Sequence, residues 1–202
     1  MNDSAHEARR DLAFMKAVAD DKGPLPMLLG AHFVAIGLVF GLNFVLVWAI
    51  YARLIAWPAW LGWGTWLPGA IVYIPIHVVL QILGRRSTWG PTARALAAAW
   101  APMGAVTLAT VAVLVIATRT TGLPMYLPWP AMAFVLYGGA WFTGGIIRRE
   151  GWHIAVAIAC FAAAAGCAAL IGTNAYWLAM AAGTMALVAV PGAAIMLRAP
   201  RA

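Results

Sequence analysis

Tyr73, His77, Gln81 and Arg85 follow one another at four-residue intervals. On a helix this spacing stacks a phenol, an imidazole, an amide and a guanidinium along one stripe. The imidazole can exchange a proton near neutral pH or ligate a metal, and the phenol and amide give and take hydrogen bonds. His32 and Asn43 form a second polar stripe one helix earlier. If the two helices are antiparallel neighbours, His32 and His77 lie at equal depth, ~8–10 Å from the inner ends of their helices. Two imidazoles so placed fit three chemistries: axial ligation of a haem, proton titration, or hydrogen bonding that holds helices together. The stripe of Tyr73, His77 and Gln81, extended by His32 and Asn43, therefore reads either as a pathway for a neutral or anionic solute or as a packing seam.

The second stretch with chemical potential is Trp141 to His153, WFTGGIIRREGWH, which holds the only carboxylate after Asp21. Glu150 sits between Arg148, Arg149 and Gly151 in a turn too short to leave the membrane surface. It is expected either to clamp Arg85, Arg86 or Arg94 across the inner face or to stay solvated, contributing ~0–1 kcal/mol. The apolar segments contain no Asp or Glu, which argues against a carboxylate-driven antiporter and against metal-dependent hydrolysis. There is no H-E-x-x-H, and the only serines, Ser4 and Ser87, lie outside those segments. No catalytic residue, no metal site and no cofactor other than the haem option at His32 and His77 emerges, and the expectation is that the chain is not an enzyme. Cys160 and Cys167 are ~10 Å apart along a helix, too far for a disulfide, and read as small buried hydrophobes.

The elements that carry these residues follow from composition. The chain has 202 residues, of which 64% are hydrophobic and 9% charged, with mean hydropathy +0.87. Six uncharged segments, at about 27–50, 66–84, 95–118, 125–147, 152–172 and 175–197, each approach or exceed the ~20 residues that cross a bilayer as a helix. The fold class is therefore all-α: a polytopic membrane protein of six transmembrane helices in three hairpins, spanning 25–198. Residues 1–24 form a cytoplasmic amphipathic helix and linker, with a capping pair at Ser4 and Glu7, and 199–202 form a tail.

Charge sets the orientation. Of 13 Lys and Arg, only Arg53 and Arg119 fall on one side; the other eleven, Arg9, Arg10, Lys16, Lys22, Arg85, Arg86, Arg94, Arg148, Arg149, Arg198 and Arg201, fall on the other. The positive-inside rule places both termini in the cytoplasm. A net charge of +7 then speaks for an anionic inner leaflet and not for nucleic acid. High Ala, Gly and Trp with few Lys is a bacterial composition, so the expected location is a bacterial inner (plasma) membrane.

Small residues predict where helices meet. Gly30, Gly37 and Gly41 share one face of the first span, which should touch a neighbour. Ala97, Ala98, Ala101 and Ala105 allow close contact on the third span, and Ala155, Ala159, Ala162 and Gly166 predict a seam on the fifth. The short turn near Asn174 predicts that spans five and six are tightly coupled. Trp57, Trp60, Trp63 and Trp66 read as an interfacial aromatic belt on a short helix. The leading functional expectation is a non-enzymatic accessory, anchoring or regulatory subunit acting through helix packing and its cytoplasmic face, where the acids of the N-terminal helix either pair with the inner loops or form a docking surface for a protein partner; homo-oligomerisation is also compatible. The alternative is a small transporter or channel using the second-span stripe, and a bis-histidine haem protein for electron transfer stands third.

Overall fold

The computed structural model describes residues 3–20, 27–58, 64–84, 90–125 and 127–199. Arg85, Arg86, Trp60 and Trp63 lie outside the described residues. Among those described, helices are the only regular elements: α1 (Asp3–Asp20), α2 (Met27–Tyr51), α3 (Leu67–Gly84), α4 (Pro91–Thr121), α5 (Trp129–Arg148), α6 (Gly151–Ala169), α7 (Asn174–Thr184) and α8 (Val190–Arg198). A five-residue π-helical stretch, Met185–Ala189, joins α7 to α8 in one continuous rod. With that rod counted once, six helices among the described residues are long and apolar enough to cross a membrane. The chain has the architecture of a multi-pass helical membrane protein.

Helix ends follow local chemistry. Pro91 opens α4 at a position where its missing N–H costs nothing. Gly122 closes α4 with φ 72°, a left-handed conformation that glycine adopts freely. At ~46 Å, α4 is longer than the hydrocarbon layer is thick. The helix runs unbroken through Pro75 in α3 and Pro102 in α4. In the last span, Pro191 removes the N–H that would bond the carbonyl four residues back, and the ladder widens to the π form just before it.

The α5–α6 connection is only Arg149 and Glu150. Arg149 adopts φ 54°, while Glu150 N–H donates to Gly145 O (3.2 Å) and Arg149 N–H to Ile146 O (3.3 Å). These two bonds satisfy the carbonyls that end α5, in the pattern usually built around glycine. An arginine there carries the steric cost of the left-handed region, ~1 kcal/mol. Arg149→Gly is therefore expected to raise the unfolding temperature in detergent by an amount corresponding to about 1 kcal/mol. An unchanged or lowered midpoint would mean that the exposed Arg149 side chain contributes more than its backbone costs.

Helix α2 lies between α3 on one side and the α7–α8 rod on the other, and α5 lies between α4 and α6. The α2 glycine face is closed by the last span: a Cβ added at Gly37 would sit 2.7 Å from Ala189 Cα, and one at Gly30 2.6 Å from Gly192 O. On α5, Gly145 admits Ile154 and Gly138 admits the Phe161 ring, so α5 and α6 form the most intimate helix pair.

Two expectations are corrected here. The most extensive partner of the sixth span is α2 and not α6, because Gly30, Gly37, Gly41 and Gly192 let those backbones approach while the turn at 170–173 merely tethers α6 to α7. The fifth-span seam of Ala155, Ala159, Ala162 and Gly166 faces largely outward, and a Cβ at Gly166 would meet nothing within 4 Å. The buried stripe of α6 is instead His153, Ala157, Cys160, Ala164 and Cys167, so both cysteines are buried packing groups. Helix α1 rests against α4 and α5, with Leu12 and Met15 exposed. The expected aromatic belt is described only in part: Trp57 is half-buried, Trp66 is exposed, and Gly64–Trp66 form a single 3-10 turn.

Candidate functional site

The polar stripe of α3 meets α2 directly. His32 and His77 are neighbours, with ring centroids 5.3 Å apart. His77 Nδ1 lies 3.2 Å from the Tyr73 hydroxyl and His77 Nε2 lies 3.5 Å from Gln81 Nε2. With the Gln81 amide donating to Nε2, the Nδ1–H donates to the Tyr73 oxygen, and one hydrogen-bonded ladder runs along the helix. Tyr73 and His77 are half-buried and Gln81 is exposed. Phe40 covers Tyr73 at 5.6 Å.

Asn43 does something different from its stripe neighbours. It is buried, and its Oδ1 accepts from Gly69 N–H at 3.0 Å. That N–H belongs to the first turn of α3, where no intrahelical acceptor exists. Asn43 thereby caps α3 from a neighbouring helix, and Gly69 is the residue that lets it approach, since a Cβ there would be 3.1 Å from the amide carbon.

A haem does not fit between His32 and His77. The rings are in contact, and both nitrogens of His77 face Tyr73 and Gln81, which leaves no lone pair directed at an iron. Among the described residues, no three His, Cys, Asp or Glu side chains gather as a metal-binding group.

A second cluster is built on the Trp141–His153 hairpin, the stretch that the sequence singles out for its lone carboxylate. Glu150 Oε1 accepts from Arg148 Nε (3.0 Å) and Nη2 (2.6 Å), and Oε2 accepts from Trp152 Nε1–H at 2.7 Å. The carboxylate thus closes its own turn. The expected clamp to Arg94 is not formed, because Arg148 and Trp152 lie two residues away on the same hairpin while Arg94 is turned outward. Burial pushes the Glu150 carboxyl up, but the bonds from Arg148 and Trp152, with the charge of Arg148 and the adjacent His153, outweigh it and hold the group below its ordinary range.

Behind Glu150 stands His153, 1% exposed, with Nδ1 3.2 Å from Glu150 Oε2 but off the hydrogen-bonding direction. The Trp152 and Trp141 rings pack against it, tilted, at 3.8 Å and 5.5 Å. Trp141 in turn touches Phe33 (5.0 Å) and Trp100 (5.4 Å), and Arg198 lies 5.5 Å over the Trp152 ring. Five elements, α2, α4, α5, α6 and α8, converge on this aromatic hub. The sequence signal for it was the pairing of Trp141 with Trp152 and His153 on either side of one tight turn.

Comparison with known proteins returns no match to a family model, to a curated protein or to a solved structure.

Proposed function

We propose that this chain is a non-enzymatic multi-pass protein of a bacterial inner membrane, with cytoplasmic termini, that acts by contact as an accessory or anchoring subunit. One observation carries this reading. None of the most apolar window of α4 and only 6% of that of α3 is buried, against 28–44% for the other four spans. The chain therefore has a packed four-span core and two flanking spans with few neighbours of their own. One of them, α3, also displays the Tyr73–His77–Gln81 ladder, and polar groups at depth favour a protein neighbour over lipid.

Site-specific photocrosslinking in native membranes tests this. A photoreactive residue at Ile71 on α3 or Leu108 on α4, both strongly exposed, is expected to give a discrete protein adduct. The same probe at Ile158 on the core helix α6 is expected to give lipid adducts only. Lipid adducts at all three positions would reject the proposal.

The alternative is a solute pathway along the stripe, for which the exposed Gln81 is the supporting feature. Cysteines placed at 73, 77 and 81 would then react together with a water-soluble maleimide. A packing seam leaves 73 and 77 protected.

A further inference from the structure

The hub around His153 contains a cavity of about 10 Å³, walled by Leu29, Phe33, Leu96, Trp100 and Ile195 and completed by Trp141 and His153. Two of its lining residues bear buried polar atoms without a partner. Trp141 is 2% exposed and His153 1%, and neither Trp141 Nε1 nor His153 Nε2 has a hydrogen-bond partner. Buried donors and acceptors are rarely left so, because each forgoes the bonds it makes in water.

The arrangement of His153 assigns the roles. Its Nδ1, which makes no hydrogen bond either, lies 3.2 Å from the Glu150 carboxylate, whose negative charge favours the proton on that side of the ring. The opposite edge belongs to the cavity, where Cδ2 would lie 3.8 Å from a Cβ at the lining residue Gly144. Nε2 is then an acceptor and Trp141 Nε1–H a donor, on two residues that line the same small space. A ligand that satisfies both must accept one hydrogen bond and donate another. It must also fit a volume of about one water.

We propose that this cavity binds a single water molecule, which accepts from Trp141 Nε1–H and donates to His153 Nε2. The water ties α5 to α6 across the hub, behind the Arg148–Glu150 pair.

Water-selective NMR on the ¹⁵N-labelled full chain in detergent tests the assignment. The Trp141 indole proton is expected to show a cross-peak to a long-lived water, and His153 to be protonated at Nδ1 with an acceptor-type Nε2. His153→Phe removes the acceptor and is expected to abolish the cross-peak. Trp141→Phe keeps an aromatic ring but removes the donor, and is expected to shift the His153 Nε2 resonance while His32 and His77 stay unmoved. Absence of the cross-peak in the unmodified protein, or its persistence in His153→Phe, overturns the proposal. Should His153→Phe fail to fold, Trp141→Phe decides, and an unmoved His153 Nε2 resonance overturns it.

Discussion

Gly37→Val is expected to destabilise the protein by about 3 kcal/mol, the upper end of what overpacking a tight interface costs. The first carbon of any side chain at this position already sits 2.7 Å from Ala189 Cα and 2.6 Å from its Cβ. The obstacle is backbone and a methyl group, neither of which can rotate away. The branched side chain must therefore push α2 off the last span along its length, undoing the approach of Gly30 to Gly192 as well. Gly104→Ala is the control, because a Cβ there meets nothing within 4 Å. It should be neutral or stabilising by up to about 1 kcal/mol through helix propensity. Reaction of the buried Cys160 and Cys167 thiols with a maleimide during thermal unfolding in mild detergent reads both variants. Equal midpoints for Gly37→Val and the unmodified protein would mean that α2 and the last span are not in backbone contact.

The glycine face of α2 was legible because three glycines at helical spacing have no other use in a span. Its partner was not, since the complement is Gly192 and Ala189 around a proline-induced widening, which no spacing rule marks. On α6 the seam was misread for an instructive reason. Alanine, glycine and cysteine are all small, so a wheel offers two adjacent stripes of equal merit. The polar residue decides between them: His153 must face protein, and from it the buried positions follow at Ala157, Cys160, Ala164 and Cys167. His32 and His77, polar groups on consecutive spans, are neighbours with ring centroids 5.3 Å apart. For Glu150 the arginines were weighed, of which Arg85 and Arg86 lie outside the described residues, and the indole of Trp152 two residues away was not. Local partners have a large advantage in a two-residue turn, since little chain entropy is lost in bringing them together.

That local closure makes Glu150→Gln the second large effect. The carboxylate offers two acceptors, one to Arg148 and one to Trp152, whereas glutamine offers one oxygen and an NH₂ that must face a donor. Whichever way the amide turns, one charge-assisted or indole hydrogen bond is lost beside the Arg148 side chain, which is only 8% exposed. A cost of about 2 kcal/mol at neutral pH is expected, discounted for the partial exposure of Glu150 itself. The pH dependence has a defined sign. Because the folded carboxyl titrates below its ordinary value, its contribution is complete above the unfolded value and disappears as pH falls through the lowered folded one. The unmodified protein should therefore lose stability on acidification through and below the ordinary carboxylate range, ~4.3. Glu150→Gln should start lower at neutral pH and show a shallower acid slope, so that the two midpoints converge in acid. Trp152→Phe removes one arm of the same closure, and in the double variant the two losses should add to less than their sum. If Glu150→Gln matches the unmodified protein at neutral pH and shares its acid slope, Glu150 is a solvated turn residue. The tight closure of α5 on α6 then rests on Gly144, Gly145 and the aromatic hub alone.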